Sequence, residues 1–485
     1  MLSYYKTPLA RIIHKKGSEL GKGLYYIVLS RHRTNLSEAT AMSIISQDSL
    51  HLSSISSKEV RADFTGGQMT SDAGVLLLRE TERQVGIISD LSRVIRDERH
   101  QSYVKHSLND LLSQRVFQIA CGYEDANDSD ALRVDPALKA ACERLPSEEE
   151  LASQPTFSRL ENSIQKTDLY RIAEALLDNF IASYATPPEA IVLDLDDTDD
   201  PTHGAQQLQF FNGYYNEYCF LPLHLYEGIS GKLITTILRP GRRPKGKEVV
   251  SIIKRIIKRI RVAWPKVGIL LRGDSHFATP EVFTWCERNN VQYILGLSKN
   301  PILTTMAQAT LQQARKIYSE KGGKVRLFKD LQYQARSWHR KIRVILKAEI
   351  TEQGENPRFV VTSLETHQPS FIYQIAYCSR GRMENFIKDH KVALNSDRTS
   401  CHSFSANSFR LFLHSAAYVL LHAFREKALA GTDLAKAQFD TIRLRVLKIG
   451  AEVQELKTKL VFRLPASCPV KALLKTINRK LALSP

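Results

Sequence analysis

The sequence is poor in cysteine and has no long apolar run, and each shortage disfavours a class of protein. Seven cysteines occur among 485 residues, and none forms a Cys-x-x-Cys pair. Zinc knuckles and disulfide frameworks are therefore disfavoured, and a reducing compartment is expected. No apolar run approaches the roughly 18 residues of a membrane span, and the apolar stretch 24–29 is too short for a secretory signal. We expect a cytoplasmic protein with no membrane partner.

Acidic residues are also fewer than basic ones. The sequence has 51 Asp and Glu and 68 Lys and Arg, which gives a net charge of +17. Such an excess predicts a polyanionic partner, most commonly nucleic acid, although a merely basic surface has the same composition. Residues 239–261 hold ten Lys and Arg and one Glu, a net +9. Apolar residues recur there at helical spacing, so a helix would pack one face and present basic side chains to DNA phosphates. The basic residues expected to contact DNA in this block are Arg242, Arg243, Lys254, Arg255, Lys258 and Arg259.

Composition and periodicity divide the first part of the chain. Residues 1–57 show little periodicity and end in a Ser-rich stretch, which predicts a disordered extension. Residues 58–187 are mostly helical in pattern and are expected to form an N-terminal DNA-binding region. A capped helix is predicted from Ser147, with a break at Pro155 and a second helix carrying Arg159, like a helix-turn-helix reader. An ordinary helical corner would give the same pattern.

The rest of the chain changes character three times. Residues 188–299 follow the order β-β-β-α-β-α-β, which predicts a mixed α/β sheet with carboxylates at strand ends. Residues 300–370 are β-rich and predict a small insertion, 371–395 predict a core helix, and 396–485 predict a helical C-terminal region. Trp338, among basic residues of the insertion, would either stack on a flipped base or pack in a core.

Acidic side chains end apolar segments at three places. Asp194 and Asp196 share one face of a predicted strand, Asp274 follows another strand, and Glu384 lies on a helix. Carboxylates gathered on a basic protein repel one another, and a pair of Mg²⁺ ions would offset that repulsion because hard cations take oxygen ligands. Two such ions would serve phosphoryl transfer. For any single Asp, a turn or a helix cap is the plainer interpretation.

A competing pattern overlaps the first acidic group. Asp194-Leu-Asp196-Asp197-Thr198 fits the D-x-D-x-T motif of haloacid-dehalogenase-type phosphatases, with Asp194 as nucleophile and Asp196 as acid/base. The similarity covers five residues only. Ala278 stands where the second Asp of the partner motif belongs, and a phosphatase leaves the basic charge unexplained.

Four residues after the predicted insertion carry the most specific pattern. Tyr377, Arg380, Glu384 and Lys391 stand at the spacing Y-x2-R-x3-E-x6-K. This resembles the Y-R-E-K signature of one branch of the DDE transposases of bacterial insertion sequences, from about residue 58 onward. Further segments that resemble this group are residues 64–80, 122–136, 196–204, 213–223 and 271–277.

The resemblance implies an α/β fold with an RNase H-like (retroviral-integrase-type) mixed sheet, a β-rich insertion and helical flanking regions. It implies Asp196, Asp274 and Glu384 as catalytic, metal-binding carboxylates, although Asp194 shares a face with Asp196 and stays an alternative. Tyr377, Arg380 and Lys391 would contact phosphates of the transposon end. His203 and His276 flank the acidic motifs and are expected to make supporting hydrogen bonds.

The activity implied is cleavage at the terminal repeats of an insertion sequence and transfer of the 3′-hydroxyl into target DNA. Mg²⁺ would be the cofactor, two ions per site with Mn²⁺ able to substitute, and the protein would act as a homodimer or larger synaptic complex in the bacterial nucleoid. A catalytically silent, domesticated DNA-binding protein on the same scaffold is the main alternative. The intact set of three carboxylates argues against that alternative.

Overall fold

Residues 49–483 are described by the structure, a computed structural model. The chain divides into two compact units, Met1–Thr65 and Gly66–Pro485. In the first unit, strands β1 (Ser49–Ile55) and β2 (Lys58–Asp63) form an antiparallel hairpin. The end of the segment predicted to be disordered is therefore a strand, and residues 1–48 of that segment lie outside the described residues.

The N-terminal part of the second unit is helical, as the periodicity predicts. After the short strand β3 (Met69–Thr70) come α1 (Val75–Val85), α2 (Ile87–Val94), a 3-10 turn (Gln101–Tyr103), α3 (Leu108–Cys121), α4 (Asp128–Leu132), α5 (Pro136–Ala141), α6 (Gln154–Ser163) and α7 (Lys166–Ala182).

The predicted helix start at Ser147 is wrong. The amide and hydroxyl of Ser147 donate to the Glu455 carboxylate at 2.9 and 2.6 Å instead of capping a helix. Pro155 lies in the first turn of α6, where a missing amide hydrogen costs nothing, so it begins one helix and does not break two. Arg159 is exposed on α6.

One nine-stranded mixed sheet forms the centre of the second unit. Five of its strands are β4 (Ala190–Asp197), β8 (Leu223–Glu227), β9 (Leu233–Ile237), β10 (Gly268–Gly273) and β11 (Gln292–Leu297). Their order in the sheet is β9-β8-β4-β10-β11. Strands β4, β10 and β11 are parallel to one another, β8 is antiparallel to β4, and β9 is antiparallel to β8. This is the RNase H-like arrangement that the resemblance implies. Two helices of this segment are α8 (Gly246–Ala263), before β10, and α9 (Pro280–Arg288), between β10 and β11. A separate small sheet contains β5 (Asp200–Pro201), β6 (Phe210–Asn212) and β7 (Glu217–Phe220).

Residues 300–370, predicted to be a β-rich insertion, contain four strands that extend the central sheet. They begin with α10 (Pro301–Lys321), and their strands are β12 (Val325–Tyr333), β13 (Ile342–Thr351), β14 (Gly354–Glu355) and β15 (Arg358–Thr362). Strand β15 pairs with β11, and β13 and β12 follow, so the segment extends the central sheet. Backbone pairing satisfies the edge of β11 that a detached insertion would leave open.

The chain then runs through an irregular helix and a mixed C-terminal region. The elements are α11 (Pro369–Phe371), a π turn (Ile372–Tyr377), a 3-10 turn (Cys378–Gly381), α12 (Arg382–Lys388), a second π turn (Asp389–Ala393), α13 (Phe404–Ala428), α14 (Phe439–Ile442), a third π turn (Arg443–Leu447), β16 (Ala451–Leu456), β17 (Lys459–Arg463) and α15 (Lys471–Leu483). The C-terminal region, predicted to be helical, thus also contains two strands, and β16 pairs with both β17 and β3.

Two apolar cores lie in this unit. One packs the N-terminal helices around α13, whose Phe409 and Phe424 are fully buried. The other lies between the sheet and helices α8 to α10. Helix α8 buries Val249, Ile253 and Ile260 and exposes its basic residues, as its periodicity predicts. Within residues 49–483, no helix is both long and apolar enough to cross a membrane.

Candidate active site at the ends of two parallel strands

Two neighbouring strands deliver the predicted aspartates to one edge of the sheet. Strands β4 and β10 are parallel, with Leu195 opposite Gly273. Asp196 and Asp274 come next on each strand. Because both strands run the same way, their carboxyl ends meet at the same edge, where ligands of α/β sheets commonly bind.

Asp194 is held in a buried ion pair. Arg272 donates from Nε and Nη2 to its two carboxylate oxygens at 2.6 and 2.7 Å, and from Nη1 to the Ala376 carbonyl at 2.6 Å. Asp194 is 0% exposed, and a Cβ on Gly228 would lie 2.3 Å from its Oδ2. Asp194 is therefore held in a buried pair within the sheet, which disfavours it as a phosphatase nucleophile or as the first catalytic Asp.

Asp196 is partly exposed and lies beside the Arg380 guanidinium. Arg380 Nη2 lies 2.9 Å from Asp196 Oδ2, and the two side chains are 14% and 17% exposed. Burial raises the pKa of Asp196 to about 7, and the negative charges of Asp274 and Asp197 add to this, whereas Arg380 lowers it. The carboxylate is thus placed where a further positive charge would be strongly stabilising.

Asp197, on the opposite face of β4, joins a second group. His276 Nδ1 lies 3.1 Å from Asp197 Oδ1, and the His276 amide donates to Asp274 Oδ1 at 2.8 Å. The hydrogen bond to Asp197 raises the pKa of His276, and burial raises that of Asp274. Within residues 49–483, one group of three His, Cys, Asp or Glu side chains has ligand atoms that all lie within 4.8 Å of one another. This group is Asp197, Asp274 and His276.

The irregular helix closes over this edge of the sheet. A Cβ on Gly296 of β11 would lie 2.7 Å from Tyr377 Oη and 3.1 Å from the Ser275 amide, so glycine permits this close approach. Burial raises the pKa of Tyr377. Tyr377 and Arg380 therefore both border the carboxylates.

Lys391 meets the loop that follows β4. Its ammonium group lies 2.9 Å from the Asp199 carboxylate and donates to the Asp199 carbonyl at 2.8 Å, and Asp397 lies 4.0 Å away. Three of the four signature residues thus lie against the strand-end acids or their loop.

Glu384 is placed differently from the other signature residues. Its side chain is exposed on α12, and in the described part of the chain its carboxylate forms no hydrogen bond or ion pair and lies outside the set of three. Its assignment as third carboxylate stays a prediction.

The predicted DNA-contacting residues fall into three situations. Arg243 donates to the Ser275 carbonyl at 2.7 Å, beside the acidic group, and Arg242 lies over the Phe210 ring at 5.7 Å. On α8, Lys254 and Lys258 are exposed. The other three residues have partners within the chain: Arg255 lies over Tyr170, Arg259 binds Asp178, and Arg159 donates to Thr156.

Trp338 is not available for base stacking. It is 6% exposed and packs edge-on against Phe283 and Tyr333 at 5.1 and 5.2 Å. The stacking hypothesis is wrong, because the ring lies in the core between the sheet and its helices.

The sequence left Asp197 without a specific role at this edge and did not identify Arg272. Consecutive strand residues face opposite ways, so Asp197 was expected on the other face from Asp196, and nothing in the sequence indicated its contact with His276. No sequence signal identified Arg272 as the partner of Asp194, because the register between β4 and β10 is a tertiary property.

The donor set fits a hard divalent cation. The set of three supplies carboxylate oxygens from Asp197 and Asp274, the ligands that Mg²⁺ prefers, and Asp196 precedes Asp197 on β4. The His276 nitrogen is also compatible with Mn²⁺. Burial, with neighbouring carboxylates adding to it, raises the pKa of Asp196 and Asp274, and a bound cation would offset the cost of charging them.

Comparison with known proteins identifies the family. The chain matches the family model described as transposase DDE domain group 1 over residues 52–485. No curated protein matches significantly. A cryo-EM structure of a piggyBac transposase synaptic complex with hairpin DNA is similar at 12% identity, over 86% of this chain and 83% of that one, with a TM-score of 0.39. The family match spans nearly all of the described fold, including both aspartate-bearing strands and the Y-R-E-K helix, and this chain belongs to the transposase DDE domain family, group 1.

Proposed function

We propose that the protein is a Mg²⁺-dependent DNA transposase that cuts at the terminal repeats of its element and joins the freed 3′-hydroxyl to target DNA. The observation that carries this proposal is the meeting of Asp196 and Asp274 at the ends of β4 and β10, under a helix that brings Arg380 to the same place.

The carboxylates would hold the metal. Asp196 and Asp274 would be the first two ligands, and Glu384 would be the third. Two Mg²⁺ ions, with Mn²⁺ as a substitute, would supply Lewis-acid charge to the attacking and leaving oxygens. The His276 amide donates to Asp274 Oδ1 and so fixes the direction of that carboxylate, while the Asp197 carboxylate holds the His276 ring.

The cationic residues would hold the substrate. Arg380, Tyr377 and Lys391 contact phosphates of the transposon end near the cleaved bond, and a guanidinium suits this because it can donate two hydrogen bonds to one phosphate. Farther out, the exposed basic face of α8 contacts the DNA backbone through Lys254 and Lys258. These contacts are salt-dependent and independent of base sequence.

The chemistry is two in-line displacements at phosphorus. In the first, a water oxygen bonds to phosphorus, the water gives up a proton, and the 3′ oxygen leaves as a hydroxyl. In the second, that hydroxyl loses its proton and attacks a target phosphodiester, whose own 3′ oxygen leaves. A homodimer or larger assembly would hold two element ends together for the joined product.

The decisive experiment is a cleavage assay on the terminal repeats that flank the gene. Wild type with Mg²⁺ should nick the ends, and Asp274→Ala and Glu384→Ala should abolish nicking while DNA binding persists. Glu320→Ala, an exposed carboxylate on α10, is the matched control and should cleave normally. If wild type binds the ends and leaves them uncut, the transposase proposal fails; if Glu384→Ala cuts at the wild-type rate, Glu384 is not the third ligand.

A catalytically silent DNA-binding protein is the second candidate. The observation that favours it is the exposed Glu384, whose carboxylate is outside the set of three ligand groups in the described chain. The same assay separates the two candidates, because a silent binder shifts the terminal-repeat DNA in a gel and yields no nicked product with either Mg²⁺ or Mn²⁺.

A further inference from the structure

An exposed group of aromatic rings lies on one hairpin of the small sheet. The hairpin formed by β6 and β7 exposes Phe210, Phe211, Tyr214 and Tyr218 by 40%, 53%, 87% and 55%. Phe211 packs edge-on against Tyr218 with ring centroids 5.6 Å apart. Large rings grouped on a surface mark a binding site more often than isolated ones do.

This hairpin borders the acidic site. A surface pocket of about 340 Å³ is lined by Phe211, Tyr214 and Tyr215 on one side, and by Arg243 and His276 on the other. Arg243 is itself tied to Ser275, the residue between Asp274 and His276, at 2.7 Å. The rings and the guanidinium therefore line one pocket with His276, whose amide and ring contact Asp274 and Asp197.

The charge around the rings identifies the kind of ligand. Arg242 and Arg243 are exposed beside the hairpin, and so are Lys245 and Lys247. Within residues 49–483, none of the four forms an ion pair with a carboxylate, so their charge is available to a phosphate. Proteins that bind single-stranded nucleic acid combine basic grooves with exposed aromatic side chains on which bases stack.

The rings can contact a base only where the duplex is open. Paired bases are stacked inside a duplex, and an enzyme that contacts one must act on single-stranded DNA or extrude the nucleotide. The occupant of this surface would therefore be unpaired nucleotides, whose bases lie on the rings and whose phosphates meet Arg242 and Arg243.

We infer that the hairpin of β6 and β7, together with Arg242 and Arg243, binds the unpaired nucleotides of a DNA strand next to the bond that is cut. This inference rests on the proposed transposase function, since it places those nucleotides beside the metal-binding carboxylates. It adds a base-binding surface on a segment outside the Y-R-E-K helix.

The test measures binding of the full chain in EDTA, where no cleavage occurs. The probes are a blunt DNA duplex and the same duplex with a short single-stranded extension containing 2-aminopurine. Wild type should bind the extended probe more tightly and quench its fluorescence. Tyr214→Ala should reduce the preference for the extended probe about tenfold and remove most of the quenching. Phe211→Leu, which keeps an apolar side chain, should act in the same direction.

Tyr103→Ala is the matched control, because Tyr103 is also 87% exposed and lies on a different surface. It should keep the wild-type preference and quenching. If Tyr214→Ala keeps both as well, the inference is wrong. If Tyr214→Ala instead loses only self-association, the hairpin is a protein contact and the inference is again wrong.

A second arm with Mg²⁺ and terminal-repeat DNA separates this inference from the proposed function. Loss of the extension preference in Tyr214→Ala supports the base-binding surface whether or not cleavage is seen. Absence of cleavage by wild type overturns the transposase proposal alone, and normal cleavage with an unchanged preference overturns the base-binding surface alone.

Discussion

Arg380 and Asp196 neutralise each other across 2.9 Å, so a residue expected to bind phosphate and a residue expected to bind metal are paired in the free protein. The pairing is incomplete on the Arg side, because within the described chain Nε of Arg380 is buried without a hydrogen-bond partner. A cation at Asp196 would repel the guanidinium and favour its transfer to a nearby anion.

Replacing Arg380 should therefore separate metal binding from DNA processing. We expect Arg380→Gln to bind Mn²⁺ roughly three- to tenfold more tightly, because a competing positive charge is removed. Cleavage of terminal-repeat DNA should fall at least as much. Calorimetric Mn²⁺ titration measures the first effect, and Arg382→Gln, an exposed arginine on the next turn, is the control. Weaker Mn²⁺ binding by Arg380→Gln would mean that the arginine organises the site and does not compete for it.

The buried pair of Asp194 and Arg272 should contribute to stability and not to catalysis. Asp194→Ala leaves a buried guanidinium without its counter-ion, and the free energy of unfolding should fall by about 3–5 kcal/mol. Urea denaturation checks this value. Asp433→Ala removes the partner of Arg445 in an exposed pair and should cost less than about 1 kcal/mol. An Asp194→Ala protein with wild-type stability and no activity would return Asp194 to the list of catalytic candidates.

Trp338 should behave as a core residue. Trp338→Ala removes a buried ring and should lower the free energy of unfolding by about 3–5 kcal/mol. Trp338→Phe keeps most of the packing against Phe283 and should leave the affinity for extended DNA unchanged. If Trp338→Phe is stable and loses the preference for unpaired nucleotides, the ring has a role in DNA binding after all.

Glu82 gives a pH-dependent test away from the site. Its Oε1 accepts a hydrogen bond from the Ile88 amide at 2.7 Å, its Oε2 is buried without a partner in the described chain, and burial raises its pKa to about 8. A raised carboxyl pKa means that the folded state holds a proton that the unfolded state has released, so stability is lost as pH rises from about 4.5 to 8. Glu82→Gln has no ionisable carboxyl group at this position, so its stability should not fall in this way as pH rises.

The unfolding free energies of Glu82→Gln and wild type should accordingly agree below about pH 4.5 and diverge above it, with the variant more stable by a few kcal/mol near pH 8. Urea denaturation across this range provides the measurement. A constant difference at all pH values would show that Glu82 does not titrate in this way.

The salt dependence of DNA binding should reveal the role of α8. Lys254 and Lys258 are exposed one turn apart. If both contact phosphates, the double Gln variant should lower the slope of log affinity against log salt by about 2, since each phosphate contact contributes about 0.9. Lys321→Gln on α10 should leave the slope unchanged. An unchanged slope in the double variant would assign the basic face of α8 to solvent.

Features that depend on one element could be predicted from the sequence, whereas features that depend on pairing between elements could not. The buried and exposed faces of α8 follow from its own period, and so does the common face of Asp194 and Asp196 on β4. The partner strand decides which of the two aspartates is held in a buried pair within the sheet, because Arg272 stands opposite Asp194.

The same limit explains why the sequence did not predict two further features, the pairing of residues 300–370 with the central sheet and the irregular helix of the Y-R-E-K segment. The strands of residues 300–370 were recognisable, but their pairing with β11 depends on residues more than 60 positions apart in sequence, such as Ile294 and Thr362. Along the Y-R-E-K segment, π turns and a 3-10 turn interrupt the α-helix. A regular helix of 3.6 residues per turn would place Arg380, Glu384 and Lys391 close to one stripe, and these interruptions change that placement.

Gly296 allows the helix to lie this close to the sheet. A single methyl group there would overlap the hydroxyl of Tyr377 and crowd the amide of Ser275. Gly296→Ala would therefore work as a wedge: every acidic and basic group of the site would be retained, and the cleft between helix and sheet would widen. The width of the cleft could then be changed without altering any of the groups that carry its chemistry.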